Sequence, residues 1–92
     1  MTFRGRVLAE LLRGHGTAEA VCGRLHADPE HWAATTAEVQ AVLRSLHRDG
    51  HVEVHAINDG VTTYRVTETG MALLALGLLR HLIEEREGPG ST

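Results

Sequence analysis

The most constraining feature of this sequence is a short amphipathic helix that leads directly into two alternating strands. Thr35 and Glu38 have the S/T-x-x-E spacing of a capping box, which predicts a helix that begins near Thr36. Apolar residues then recur at steps of three and four, so they share one face and are expected to pack inward. These residues are Val39, Val42, Leu43 and Leu46. Gly50 predicts the end of the helix, which therefore covers about residues 36–49.

The residues after this helix alternate between apolar and polar side chains. Val52, Val54 and Ala56 have the two-residue period of a strand with one buried face, and Tyr64 and Val66 repeat it on the way back. A helix followed at once by a hairpin is the core of a winged helix-turn-helix domain. Winged helices most often bind DNA, so this segment decides the functional prediction.

The turn of the hairpin has the sequence Asn-Asp-Gly at residues 58–60. We expect a three-residue loop with Gly60 in the left-handed conformation, because that loop sets Val54 opposite Tyr64 across the ladder. A two-residue loop at the Asp-Gly pair would shift the pairing by one and set His55 against Tyr64. The apolar match favours the longer loop.

Two further helices are predicted before the central one. The first covers about residues 3–13 and stops at a Gly-His-Gly breaker, and Thr17 is the expected N-cap of the second. The apolar residues predicted to face inward on the second helix are Ala18, Val21, Cys22 and Leu25. The Asp-Pro-Glu-His-Trp stretch is expected to be a loop, in which Trp32 anchors the chain against the second or third helix.

A fourth helix is expected from 68 to 87, with Thr67 as its N-cap and a flexible tail over 88–92. The fold class is then mainly α with a small β-hairpin: one winged helix-turn-helix domain over 1–87 with a C-terminal dimerisation helix. Two apolar stripes run side by side along this helix. The first contains Met71, Leu74, Ala75, Leu78 and Leu82, and the second contains Ala72, Leu76, Leu79 and Ile83.

A domain this small is expected to bury only one broad face of its terminal helix, which leaves the other for a partner. We therefore predict a homodimer through the C-terminal helix. The candidate dimerisation residues are Met71, Leu74, Leu78, Leu79, Leu82 and Ile83. In the alternative, both stripes pack against the first helix and the hairpin of the same chain.

Charge and composition limit the classes of function. The net charge of −3 counts against nucleic-acid binding, because such domains usually carry a basic excess. The single cysteine, Cys22, excludes an internal disulfide and agrees with a reducing compartment. The sequence shows no pattern of a signal peptide and no stretch of transmembrane length, so we expect a cytoplasmic protein without membrane contact.

Three stretches carry a family resemblance: VLAELLRGHGTAEAVCGRL, WAATTAEVQAVLRSLHRDGHV and TTYRVTETGMALL. They resemble, in this order, the first two helices, the recognition helix, and the second wing strand entering the dimerisation helix of the PadR-type winged-helix transcriptional regulators, with the MarR type as the nearest alternative. The resemblance implies a dimeric regulator that binds double-stranded DNA. The sequence departs from the family at Ala18 and Glu19, which replace a glycine-tyrosine pair, and at an acidic wing tip.

The outward face of the predicted recognition helix supplies the candidate base contacts. Gln40 can pair with adenine and Arg44 with guanine through two hydrogen bonds each, while Thr35 or Thr36 could contact phosphate beside the helix N-terminus. On the wing, the candidate phosphate contacts are Thr62, Thr63 and Arg65, and Arg4 and Arg6 are weaker candidates. The alternative is that these side chains form an ordinary solvated surface.

Other functions have weaker support in the sequence. Cys22 and His26 lie four residues apart on one helix, but two ligands do not make a metal site and the sequence has no zinc motif. There is no phosphate-binding glycine loop, nucleophile motif or paired-carboxylate arrangement, so we expect no enzyme activity, no metal and no cofactor. The rival to a DNA-binding regulator is a winged-helix adaptor or inhibitor that binds another protein.

Overall fold

The structure, a computed structural model, describes residues 2–14 and 16–86, with the backbone alone at 78 and 81–86. The elements occur in the predicted order of three helices, a hairpin and a fourth helix. Their bounds are α1 Phe3–Leu11, α2 Ala18–Leu25, α3 Thr36–Arg48, β1 Val52–Asn58, β2 Val61–Val66 and α4 Glu68–Arg86. Residue 87 and the predicted tail over 88–92 lie outside the described residues.

Threonine side chains fix the starts of the helices, as the sequence predicts for three of them. The Thr17 hydroxyl accepts a hydrogen bond from the backbone N–H of Ala20, and Thr2 does the same for α1. Thr35 accepts from the N–H of Glu38, whose carboxylate in turn accepts from the N–H of Thr35. The predicted capping box is therefore confirmed, and it fixes Thr36 as the first residue of α3.

The core lies where the first three helices meet the base of the hairpin. The predicted inward faces of α2 and α3 are buried, with Val42 only partly so. The buried core residues are Val7, Leu8, Leu11, Ala18, Val21, Cys22, Leu25, Val39, Leu43, Leu46, Val52, Tyr64, Val66 and Leu74. Burial of α3 on one side fixes its other side toward solvent.

A buried carboxylate joins α1 to α2, which the sequence pattern did not predict. Glu10 is buried within α1 and lies 3.0 Å from the Arg6 guanidinium and 3.1 Å from that of Arg24. Arg6 also reaches Asp28 in the loop after α2, at 3.1 Å. A buried charge is stable only when it is paired, and these arginines provide the pairing.

The loop of the hairpin is shorter than predicted, but Val54 and Tyr64 pair as predicted. Asp59 and Gly60 form a two-residue loop in which both have positive φ, 51° and 78°, as in a type I′ turn. Val54 nevertheless pairs with Tyr64, because His55 is the extra residue of a β-bulge next to that pair. The three-residue loop was wrong because the prediction assumed a regular ladder, which links loop length to register.

An isolated β-bridge, which the sequence did not predict, joins the hairpin to the segment before α2. Gly16 forms a β-bridge with Tyr64, donating a 2.9 Å hydrogen bond to its carbonyl and accepting one of 2.8 Å from its N–H. This bridge joins the loop between α1 and α2 to β2. The base of the wing is thus held on both sides, by β1 and by Gly16.

Trp32 is not the anchor that the sequence predicts, since its side chain is 68% exposed. The preceding residue takes the inner position instead. His31 lies 3.0 Å from the Asp28 carboxylate and packs against the ring of Phe3, with 5.5 Å between ring centroids. The loop is therefore tied down through Asp28 and His31, and Trp32 faces outward.

The joint between the hairpin and α4 is unusually close. The Thr67 hydroxyl donates to the Gly50 carbonyl at 2.6 Å and accepts from the N–H of Gly70, which confirms Thr67 as the N-cap. A Cβ added at Gly70 would lie 2.1 Å from the His51 carbonyl oxygen and 2.8 Å from a methyl group of Val66. The Thr-Glu-Thr-Gly sequence therefore combines a cap with a close backbone contact.

Candidate nucleic-acid interface

A groove of about 380 Å³ lies between the start of α2, the outer face of α3 and the hairpin. Its walls carry mostly hydroxyl and amide groups, one arginine and one carboxylate. The lining residues are Thr17, Ala18, Glu19, Thr36, Gln40, Arg44, Gly60, Val61, Thr62 and Tyr64. Residues at the starts of α2 and α3 line the groove, so two positive helix ends border it, an arrangement that suits an anionic ligand.

Gln40 and Arg44, the predicted base contacts, both line this groove, but they differ in exposure and in their contacts within the chain. Gln40 is half-buried, and its Nε2 lies 3.3 Å from the Tyr64 hydroxyl. Arg44 is exposed and has no hydrogen bond or ion pair with any residue that the structure describes. The guanidinium of Arg44 is therefore available for an external partner.

Arg48 extends the same face by one helical turn and was not among the sequence candidates. It is exposed and, within the described part of the chain, makes no ion pair or hydrogen bond. Gln40, Arg44 and Arg48 follow each other at steps of four, so they form one row along α3. That spacing was visible in the sequence and could have identified Arg48.

The threonine candidates are used in different ways. The Thr35 hydroxyl is occupied in the capping box, whereas Thr36 is exposed and lines the groove. Thr62 lines the groove, and the Thr63 hydroxyl donates to the Ala56 carbonyl across the hairpin at 3.0 Å. Thr36 and Thr62 are therefore the better placed of the four.

The candidate arginines outside α3 are all engaged within the chain. Arg65 forms an ion pair with Glu53, its cross-strand partner in the hairpin. Arg4 donates to Ser45 and to Asp49, each at 2.6 Å, and so ties α1 to the end of α3. Arg6 belongs to the buried Glu10 cluster. None of these three has the open guanidinium of Arg44.

Acidic groups border the groove on the wing side and on the α2 side. Asp59 is exposed at the tip of the hairpin, and Glu19 lines the groove from the first turn of α2. The positive charge of the face is concentrated on Arg44 and Arg48. The interface is thus polarised, with cations on α3 and anions on its borders.

The burial of the α4 side chains shows which residues of the two apolar stripes pack against the domain's own core. Leu74, from the first stripe, is 7% exposed and belongs to the domain core, while Leu76 and Leu79 of the second are 62% and 55% exposed. Met71 is also exposed. Leu78, Leu82 and Ile83, the other predicted dimerisation residues, have side chains outside the described part of the structure.

His26 and His31 make hydrogen bonds within the chain, close to the loop that leads into α3. The Cys22 thiol and the His26 Nε2 are 3.5 Å apart, and both lie within hydrogen-bond distance of the Ala34 carbonyl, which ties α2 to the loop before α3. In that loop, hydrogen bonds from His31 and then from the Glu30 N–H lower the pKa of Asp28 below its ordinary value. Both sets of contacts position the start of α3.

Comparison with known proteins shows the fold. No protein-family model and no curated protein sequence matches the chain. RosR from H. salinarum is similar in structure, with a TM-score of 0.79 and 18% identity over 91% of this chain and 76% of that one. The transcriptional regulator YodB from B. subtilis, in its reduced form, gives 0.75 and 15% over 100% of this chain and 86% of its own. A transcriptional regulator from Clostridium thermocellum gives 0.75 and 12% over 90% and 82%.

These likenesses agree with the elements described above, four helices with a two-stranded hairpin after the third. The chain has the winged helix-turn-helix fold of solved transcriptional regulators. In such a fold α3 occupies the position of the recognition helix and the hairpin that of the wing. Among the described residues, no helix is both long and apolar enough to cross a bilayer.

Proposed function

We propose that the protein is a sequence-specific DNA-binding transcriptional regulator of the PadR or MarR type that acts as a homodimer in the cytoplasm. The observation that carries the proposal is the outer face of α3, which presents Arg44 and Arg48 without partners among the described residues beside an open groove. An arginine that is not engaged in the chain can form the bidentate contact with guanine that makes the most common specific base contact.

The shape of α3 supports close approach to base edges. Between Gln40 and Arg44 the exposed face carries only Ala41, and Ala37 precedes it one turn earlier. Small side chains at these positions let a helix lie deep in the major groove, and an alanine can itself contact a thymine methyl group. Thr36 at the helix start is then placed for phosphate.

The proposed homodimer uses the outward stripe of α4. Positions 72, 76, 79 and 83 alternate by four and three residues, the spacing of a seam between two helices. Exposed Leu76 and Leu79 would be buried between two copies related by a two-fold axis. Such a dimer would present two α3 helices to half-sites about one helical turn apart.

The test is binding of the purified protein to fragments of its own upstream region and to unrelated DNA of equal length, across a salt series. Preferential binding to one fragment, which weakens as salt rises, is the expected result. Equal binding to all fragments would contradict sequence specificity, and no binding at low salt would contradict DNA binding. Sedimentation of the same samples checks the dimer.

A protein-interaction adaptor is the second candidate, because the wing departs from the features that favour phosphate contact. Asp59 is exposed at its tip and Arg65 is neutralised by Glu53. Exposed Ile57 and Val61 flank the tip, where a protein partner would bury them. A dimer that binds no DNA at any salt concentration would favour this function.

A further inference from the structure

Tyr64 is held from several directions at the back of the groove. Its backbone N–H and carbonyl both bond to Gly16, and its ring meets the ring of His47 edge-on, with 6.3 Å between centroids. The residue is buried, yet it lines the groove, and its hydroxyl lies within hydrogen-bond distance of Gln40, another lining residue. The hydroxyl oxygen is therefore a fixed point beside α3.

The Gln40 side chain is hydrogen-bonded to this hydroxyl. Its Nε2 donates to the Tyr64 hydroxyl at 3.3 Å, which occupies one of the two hydrogens of the amide. The second N–H and the carbonyl Oε1 have no hydrogen-bond partner in the described part of the chain. A neighbouring donor and acceptor remain free on a side chain that is already half-buried and oriented.

That remaining pair matches one base. Adenine offers an N7 acceptor and an N6 donor in the major groove, which a glutamine engages with its N–H and its carbonyl together. A freely rotating glutamine loses rotamer freedom when it makes this contact, whereas one held by a fixed hydroxyl has already lost much of it. The direction of the amide also decides which of its atoms faces which edge of the base.

We propose that Tyr64 is a positioning residue that orients the Gln40 amide for contact with an adenine in each half-site. The inference rests on the proposed function and adds to it a residue that selects sequence without touching the base. Tyr64 lies on the wing strand, so the wing would contribute to specificity through α3 and not through phosphate.

The free protein gives the first measurement. Gln40 is the only glutamine in the sequence and Asn58 the only asparagine, so a ¹⁵N-labelled sample has two side-chain amide pairs. Tyr64→Phe, which keeps the ring and removes the hydroxyl, is expected to shift the Gln40 pair and leave the Asn58 pair in place. An unshifted Gln40 pair in a folded variant would overturn the inference.

The second measurement uses DNA. The full chain selects duplexes from a random library, and affinities are then measured for the selected duplex and for duplexes with each base pair replaced. Gln40→Ala is expected to lose about tenfold or more in preference for adenine at one position of each half-site. Tyr64→Phe is expected to lose about three- to tenfold at that same position, the effect of one ordinary hydrogen bond.

A double variant and a matched control separate positioning from general structure. In the Gln40→Ala background, Tyr64→Phe is expected to change nothing further at that position, because its effect passes through Gln40. Ser45→Ala removes another hydroxyl on α3, one that accepts a hydrogen bond from Arg4, and is expected to leave the adenine preference unchanged.

The outcomes distinguish this inference from the proposed function. If the wild-type protein enriches a sequence but Tyr64→Phe weakens all duplexes equally, or changes none, the inference is overturned and the DNA-binding function stands. If Gln40→Ala leaves every base preference intact, the inference is likewise overturned. If the wild-type protein enriches no sequence, the proposed function fails and the inference with it.

Discussion

α3 and the hairpin border the same groove, but they are built differently. α3 is buried on one side, capped at its start by Thr35, and exposes Arg44 and Arg48 without partners among the described residues. The hairpin has a single arginine, Arg65, which is paired within the strand ladder, and an aspartate at its tip. In the proposed function α3 therefore supplies the contacts with DNA, and the wing contributes through the hydrogen bond between Tyr64 and Gln40.

The joint below the hairpin provides the largest expected effect. Gly70→Ala would place a methyl group 2.1 Å from the His51 carbonyl oxygen, so the backbone must move. We expect the free energy of unfolding to fall by about 3 kcal/mol, the upper end of the usual range for overpacking. The effect is large because a backbone carbonyl cannot rotate away as a side chain can. Urea denaturation measures it. Gly77→Ala, where the added methyl group meets nothing within 4 Å, is the matched control and is expected to be neutral or slightly stabilising.

Arg44→Ala tests whether the exposed face of α3 makes the specific contact with DNA. Loss of a bidentate guanine contact is expected to cost about 1–3 kcal/mol in binding to the selected duplex and to relax preference at that base pair. Competition binding measures both. Arg80→Ala removes an exposed arginine from α4 and is expected to leave binding unchanged. Equal losses in the two variants would mean that total charge, and not the α3 face, determines binding.

Arg48→Ala separates phosphate contact from base contact. We expect this exposed side chain at the end of α3 to contact the DNA backbone, so its loss should weaken binding by a similar factor for every sequence. The slope of log K against log salt is expected to decrease in magnitude by about 0.9, the value for one phosphate. A change in base preference, or an unchanged slope, would refute this assignment.

Variants of the wing test whether the hairpin contributes little to DNA affinity. Asp59→Asn removes the acidic tip and is expected to increase affinity by no more than about threefold, an exposed and screened charge effect. Arg65→Ala is expected to have an equally small effect, since its charge is already paired with Glu53. Affinity measured at two salt concentrations checks both. A loss of tenfold or more in Arg65→Ala would place the wing in the interface.

The smallest expected effect is the pH dependence of the loop that leads into α3. Hydrogen bonds from His31 and the Glu30 N–H hold the pKa of Asp28 below its ordinary value of 3.8. Because the folded pKa is the lower one, the stabilisation is present above 3.8 and is lost as the pH falls through the folded value. Asp28→Asn is expected to be less stable at neutral pH and to lose less stability on acidification. Parallel stability curves for the two proteins would contradict this.

The sequence predicted the elements whose signals are local. The capping box at Thr35 places α3, and the alternation around Tyr64 gives the correct register of the hairpin. The bulge at His55 and the bridge between Gly16 and Tyr64 were not predicted, because they depend on segments that meet only in the folded chain. Trp32 was misplaced for the same reason, since His31 takes the inner position through its contacts with Asp28 and Phe3.

The candidate interface was predicted in part. Gln40 and Arg44 line the groove. They could be predicted because helical periodicity alone assigns them to the face opposite Leu43. Periodicity could not show that Gln40 bonds to the Tyr64 hydroxyl, a residue 24 positions away, or that Arg65 is neutralised across the ladder. Whether a polar side chain is free for a ligand depends on such long-range contacts.

The proposed placement of α3 in the major groove is tested by binding of the wild-type protein to selected duplexes in which one functional group is removed from one groove at a time. Replacing a guanine by 7-deazaguanine removes an acceptor from the major groove, and replacing it by inosine removes a donor from the minor groove. We predict that one deaza substitution in each half-site weakens binding in the wild-type protein and not in Arg44→Ala, whereas inosine has little effect. Sensitivity to inosine alone would contradict the placement of α3 in the major groove.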